Sequence, residues 1–408
     1  MKERIIFHID VNNAFLSWSA VYLLKQGYEI DIREIPSVIG GDEKARKGIV
    51  LAKSPVAKKH GIVTAETLYS ARKKCPSVKI YPMNYRWYAE KSKELMEYLS
   101  QYSPLQEQLS IDECFLDMTG MKYIYKDLIK LAYHIKDDIY EKFGYTVNIG
   151  IGNNKLCAKM ASDFEKPNKV HTLFKDEIVT KLWPLDVGDL FMCGKKTKEE
   201  LNQLKIYTIG DLAKIDQKTL ERKFKTQGSY LYNASRGIDD SKVEKRTSKN
   251  QSISVTETLA YNMVDKEKLK EIILRQVEEV ARELRKKRLY VKTIGVIFKN
   301  SHFESYSAQV TLENSTNNTK EILKTAYQVF ENNYKEDEIR LIGVKLSNLI
   351  ETKKEQISLF SEMEKKDIEE ESIQKTIDDI NNRFGKSVIK TASLKILGEH
   401  ETKKKYME

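Results

Sequence analysis

Asp112 and Glu113 are adjacent carboxylates set between two short runs, residues 105–111 and 114–118, which are bounded by Ser103-Pro104 and Thr119-Gly120. Each run has the length and the flanking breakers of a strand. Strict alternation would send neighbouring side chains to opposite faces. The pair is therefore expected at or near the tip of a hairpin, where alternation breaks and both acids reach one side. Two carboxylates that close repel each other unless a cation lies between them. A solvated hairpin tip would also carry such a pair, but a third acid stands in a matching setting. Asp10 ends the nearly continuous apolar run 5–11, the pattern of a strand buried on both faces. A charge there is costly unless something compensates it. Three hard oxygen donors suit Mg²⁺, which takes one or two carboxylates per ion, keeps waters and completes its shell with substrate phosphates. Two such ions about 3.5–4 Å apart support in-line phosphoryl transfer.

The elements that must bring these acids together can be read along the chain. After Asp10 the pattern turns helical, with Phe15, Trp18, Val21 and Tyr22 on one face and Lys25 at the end. Residues 35–52 read as two short strands around Gly40-Gly41, and 54–60 as a short helix with Lys53, Lys58 and Lys59 clustered near it. A strand over 78–82 and a helix over 84–102 precede the acidic hairpin. An amphipathic helix over 128–143, a strand over 145–151 and a helix over 153–164 follow it. Strand, helix, two strands, helix, strand is a split βαβ order, the ferredoxin-like arrangement. Residues 176–236 are helical and small, and 236–250 is a polar, charge-rich tether. The chain then reads strand–helix–strand twice, with strands near 252–257, 291–299, 305–312 and 340–347 and helices near 265–288 and 318–332. A charged tail begins at Glu351 and contains one largely apolar pentamer, Gln356-Ile357-Ser358-Leu359-Phe360. A final helix is expected over 372–384.

Bulk properties fit a polyanionic partner. The chain has 408 residues and a formal net charge of +10, an excess that favours such a partner without identifying it. Cys75, Cys114, Cys157 and Cys193 form no CxxC pair, so reduced thiols in a cytoplasmic protein are expected rather than disulfides or zinc. No apolar run approaches the ~18 residues of a membrane span, and no signal-peptide pattern opens the chain.

An ordered set of segments resembles the Y-family translesion DNA polymerases, the group that includes bacterial DNA polymerase IV and the UmuC-type proteins. The segments are FHIDVNNAF (7–15), VIGG (38–41), GIVLAKSPVAKKHGI (48–62), LSIDECFLDMTG (109–120), NIGIGNNKLCAKMASDFEKPN (148–168), TIGDLA (208–213) and QISLF (356–360). No single motif is decisive, but the collinear set is specific. The resemblance implies an α+β, right-handed polymerase: a ferredoxin-like palm (1–11 and 79–166), small fingers (12–78) and a helical thumb (167–235). A tether (236–250), a βαββαβ little finger (251–350) and a charged tail (351–408) would complete it.

It further implies two Mg²⁺ ions held by Asp10, the main-chain oxygen of Val11, Asp112 and Glu113. Phe15 would exclude a 2′-hydroxyl, and Lys58 and Lys166 would contact the triphosphate. Gly194, Lys195 and Lys196 would meet the DNA backbone. Gln356, Ile357, Leu359 and Phe360 would dock on the sliding clamp (beta subunit), as linear motifs commonly do. Expected partners are primer-template DNA and deoxynucleoside triphosphates, for a monomer without proofreading and of low fidelity. Departures from the family pattern stand at Asn12, Ala14, Pro55, Lys58 and Met192. Lys58 replaces an arginine and can neutralise a phosphate only as a point charge. The substitutions at Asn12, Pro55 and Met192 leave room for a second class of function, a non-catalytic DNA- and clamp-binding factor that competes with other polymerases. A nucleotide cyclase shares the two-metal logic but would need no template.

Overall fold

The computed structural model describes residues 4–43, 46–245 and 252–352, with residues 376, 377, 379, 380 and 383 beyond them. The pentamer 356–360 and most of the helix expected over 372–384 lie outside the described residues. The chain divides into two compact units, residues 1–43 with 48–247 and residues 44–47 with 248–408.

The first unit begins with β1 (Ile6–Val11), α1 (Ala14–Lys25), β2 (Ser37–Gly40), β3 (Val50–Lys53), α2 (Pro55–Lys59), α3 (Leu68–Lys74) and β4 (Lys79–Pro82). It continues with α4 (Tyr85–Leu99), β5 (Gln106–Gln108), β6 (Glu113–Asp117), α5 (Lys122–Tyr125), α6 (Leu128–Phe143), β7 (Val147–Gly152), α7 (Lys155–Asp163) and β8 (Val170–Leu173). Five of these strands form a sheet in the order β5-β6-β1-β7-β8, with β1 at its centre and antiparallel to both neighbours. Alternation along β1 sorts its side chains. Phe7, Ile9 and Val11 enter the core shared with Tyr88, Leu95 and Leu99 of α4 and Leu131, Ile135 and Ile139 of α6. Ile6 packs with Ala158 of α7, and His8 and Asp10 contact the same helix.

Helix α7 lies directly on the sheet because β7 carries glycine where the two meet. A Cβ on Gly150 would stand 2.0 Å from the Ala158 carbonyl oxygen, and one on Gly152 would stand 2.7 Å from the Ala158 nitrogen. Two strands fall outside the ranges expected for their sheets. Strand β4 pairs in parallel with β2 in a separate three-stranded sheet, order β3-β2-β4, and β8 extends the five-stranded sheet in parallel beside β7. Both are four-residue edge strands with mixed burial, so neither carries the run or the alternation that assigns a strand to a sheet.

The first unit ends in a helical cluster, α8 (Lys195–Gln203), α9 (Ile209–Ala213), α10 (Gln217–Phe224) and α11 (Thr226–Ala234). Leu201, Leu212, Leu220 and Leu231 build its core together with Leu182 and Leu190. Thr208 and Asp211 cap α9 reciprocally, which satisfies two otherwise orphaned amides.

The second unit has the expected βαββαβ order: β9 (Ser252–Met263), α12 (Lys266–Lys286), β10 (Tyr290–Asn300), β11 (Ser305–Thr316), α13 (Thr319–Asn333) and β12 (Ile339–Ile350). The sheet runs β11-β10-β12-β9, antiparallel throughout. Leu269, Ile273, Val277, Val280 and Leu284 of α12 and Ile322, Ala326 and Phe330 of α13 fill one core with Ile294, Val296, Ile342 and Val344 of the sheet. Strands β9, β11 and β12 outrun their expected spans. Register shifts in β10 near Val291 and in β12 near Ile339 interrupt the alternation while the ladder continues, so pattern alone stops short. No helix among the described residues is long and apolar enough to cross a membrane. The architecture is α+β, as expected.

Candidate active site

Asp10 and Glu113 face each other as register partners on β1 and β6. Asp112 is the last residue of the loop that joins β5 to β6, and its carbonyl accepts the Val11 amide at 3.0 Å. The Ser110 hydroxyl donates to the Asp112 carboxylate at 2.7 Å. The strand start at Glu113 is thus where alternation begins, which lets Asp112 escape it. His8, Asp10 and Glu113 offer ligand atoms within 4.8 Å of one another, and Asp112 stands outside that group.

Two lysines converge on the acids. The Lys159 ammonium lies 3.1 Å from Asp10 Oδ2, 2.9 Å from Glu113 Oε2 and 3.3 Å from Asp163 Oδ2. Lys166 reaches Asp10 Oδ2 at 3.1 Å and Asp163 Oδ1 at 2.8 Å. Behind them His8 is fully buried. Its Nδ1 lies 2.9 Å from Ser162 Oγ. Its Nε2 stands 3.2 Å from Glu113 Oε2 without the alignment of a hydrogen bond.

These contacts split the behaviour of the neighbouring acids. Burial by itself would raise the Glu113 carboxyl, but His8 and Lys159 together outweigh burial and hold it down to about 2. Asp112 is pushed up, first by burial and then by the negative charges of Asp10 and Glu113. Burial pushes the His8 imidazole down, against the pull of Glu113. Lys159 is raised although burial opposes it, because Asp10, Asp163 and Glu113 surround it. Asp10 and Glu113 present carboxylate oxygens, the donors that suit a hard divalent ion, with the His8 imidazole in the same group. The residues present fit such an ion.

The remaining expected residues take the following places. Val11 is buried beside Asp10. Phe15 sits in the first turn of α1, half-buried, with its ring against Tyr88 at 5.0 Å and Trp18 at 6.2 Å. Lys166 belongs to the carboxylate network. Lys58 stands exposed on α2, outside that network, with Pro55 at the first position of the same helix. Gly194 precedes α8, and Lys195 and Lys196 are exposed in its first turn. Met192 holds a left-handed backbone with φ 64°, the conformation a glycine would adopt without strain. Gln356, Ile357, Leu359 and Phe360 lie outside the described residues.

Sequence reasoning missed Lys159, His8, Asp163 and an amide network. The signals were present: residues 159 and 163 have the i, i+4 spacing of one helix face, with Lys166 just beyond the end of that helix, and His8 lies two residues before Asp10 on one strand face. In the amide network, Asn12 Nδ2 donates to Asn148 Oδ1 at 3.1 Å, and Asn12 Oδ1 accepts the Asn168 amide at 2.8 Å. Asn148 Nδ2 in turn donates to the carbonyls of Ser162 and Glu165. This network ties the segment carrying Lys166 to the end of β1. Asn12→Asp would set two acceptors against each other at a buried position. It should lower unfolding free energy by about 1–3 kcal/mol in urea melts, and an unchanged midpoint would remove the network from the account.

Comparison with known proteins gives the family. The impB/mucB/samB family profile matches residues 9–163, its C-terminal domain profile matches 250–359, and a profile described as the DNA polymerase-iota thumb domain matches 189–239. The chain belongs to this family, the Y-family DNA polymerases. A solved Y-family DNA polymerase chimera, Dbh-Dpo4(243-245)-Dbh, superposes with a TM-score of 0.73 at 25% identity, covering 85% of this chain and 100% of that one. The DNA polymerase IV of Clostridium acetobutylicum is 44% identical over 391 residues, 95% of this chain and 97% of that protein. That of Alkaliphilus oremlandii is 37% identical, covering 96% and 98%, and DNA polymerase IV 1 of Bacillus subtilis is 32% identical, covering 98% and 96%.

Proposed function

We propose that this DNA-directed DNA polymerase extends primers on damaged templates with low fidelity and without proofreading, using two Mg²⁺ ions. The observation that carries the metal assignment is the register pairing of Asp10 with Glu113, with the Lys159 ammonium drawn between them. Asp10, Asp112, Glu113 and the Val11 carbonyl would hold the ions. When bound, such ions lower the pKa of a primer hydroxyl and offset charge on the leaving pyrophosphate. The chain's own residues do the rest. Lys166 and Lys58 bind the triphosphate, Phe15 orients the sugar and excludes a 2′-hydroxyl, and His8 stands behind the Glu113 carboxylate at 3.2 Å. Gly194, Lys195 and Lys196 grip the duplex through its phosphates, a contact that positions without reading sequence. The family relationship supports DNA and nucleotides as substrates.

The tail residues Gln356, Ile357, Leu359 and Phe360 dock the monomer on a sliding clamp. The test is extension of a primed template across an abasic site or an alkylated base, with and without a sliding clamp. The purified chain should pass the lesion, and the clamp should raise the length of product. Leu359→Ala with Phe360→Ala should abolish only the clamp's effect. Failure to extend an undamaged template would refute the activity. An undiminished clamp effect in the double variant would refute the docking site alone.

A further inference from the structure

The Lys159 ammonium occupies the space between two carboxylates that the proposed function assigns to metal. It bridges Asp10 Oδ2 at 3.1 Å and Glu113 Oε2 at 2.9 Å, and its side chain is 11% exposed. A divalent ion bridging those same two oxygens would add its charge to a space the ammonium already fills. An ion bound at the ~2.0–2.1 Å that Mg²⁺ requires would face an ammonium already in contact with both ligands. A partner for the displaced charge stands one turn along the same helix. Asp163 Oδ2 is 3.3 Å from Lys159, while the other oxygen of Asp163 takes Lys166. The i, i+4 spacing keeps the two side chains within reach, and lysine's flexible stem allows the move. Gly150 and Gly152 hold this helix on the sheet, so the ammonium needs only to swing, not to travel.

We propose that Lys159 is an internal counter-ion that fills the gap between Asp10 and Glu113 when no divalent ion is bound, and that transfers to Asp163 when one arrives. The inference rests on the reading of Asp10 and Glu113 as metal ligands. It makes ion loading an exchange of one cation for another rather than an addition. Lys159 is a positioning residue: it keeps the acids converged and neutralised before loading, and it sets the concentration at which loading occurs. Lys155, on the same helix, forms a bridge to Glu107 at 2.7 Å outside the carboxylate pair and serves as the control.

The test is Mn²⁺ titration of the full chain without DNA or nucleotide, followed by electron paramagnetic resonance of the free ion. Melting in chelator and in saturating Mn²⁺ accompanies it. Lys159→Met should bind Mn²⁺ about tenfold tighter or more, because the competing occupied state is removed, and should melt lower in chelator. Asp163→Asn should bind more weakly, because the displaced ammonium loses its acceptor, and it carries the test alone if Lys159→Met does not fold. Lys155→Met should leave the affinity unchanged. A merely structural role for Lys159 would weaken binding on its removal, so unchanged or weaker binding by Lys159→Met, or unchanged binding by Asp163→Asn, overturns the proposal. The double variant Asp10→Asn with Glu113→Gln separates the two readings. If it binds Mn²⁺ like the parent chain, or if the parent binds none, the metal assignment itself falls and this inference with it. If the double variant loses binding while Lys159→Met matches the parent, only the exchange is refuted.

Discussion

Glu113→Gln, and separately Asp10→Asn, should slow templated primer extension by a thousandfold or more. Each substitution keeps the side-chain shape and removes a charge from the register pair at the centre of the sheet. A loss of about 4 kcal/mol of charge stabilisation corresponds to roughly a thousandfold in rate. The measurement is single-turnover extension in saturating nucleotide, with melting curves to show that the variants fold. Extension within tenfold of the parent would defeat the assignment. The pH dependence of stability gives an independent reading. Glu113 is held down to about 2 from an ordinary 4.5. Its contribution to stability is therefore present above the unfolded value and is lost as pH falls through the folded one. Glu113→Gln should remove that part of the acid-side slope.

Phe15→Ala should lower the preference for deoxyribonucleotides by about a hundredfold, the scale on which a pocket's shape rejects an added hydroxyl. The ring is half-buried, and its neighbours do not yield easily. Trp18 is fully buried, and Tyr88 is locked by a 2.7 Å hydrogen bond between its hydroxyl and that of Ser19. A sugar bearing a 2′-hydroxyl would thus meet a ring with no room to retreat. The measurement is the ratio of kcat/KM for matched ribo- and deoxyribonucleoside triphosphates. An unchanged ratio would return Phe15 to the core.

The sequence made some of this legible and left the rest dark for physical reasons. Asp10 and the Asp112-Glu113 pair announced themselves because charges at the ends of apolar runs demand an explanation. The βαββαβ unit was readable because its strands and helices have distinct periods. Lys159 was not, because nearly every residue of α7 is buried, which erases the stripe that would mark one face as special. His8 was hidden for a related reason: β1 is buried on both faces, so hydrophobicity does not say which of its residues look toward Asp10. Strand β4 was placed with the wrong neighbours because an edge strand of four residues carries no record of its partner. Met192 shows the opposite case, in which a side chain that rarely adopts it holds a left-handed backbone that no pattern in the sequence announces.

The bare backbone of Gly150 and Gly152 has a consequence for how this protein can drift. A single methyl group at either site collides with main-chain atoms of the helix above, which have no rotamer to escape into. The helix would have to lift, and it would carry Lys159 away from the carboxylates while dragging on the segment that ends in Lys166. The geometry of the candidate site is therefore also written at two places outside its carboxylates and lysines, where the smallest possible mutation moves those charges as a block.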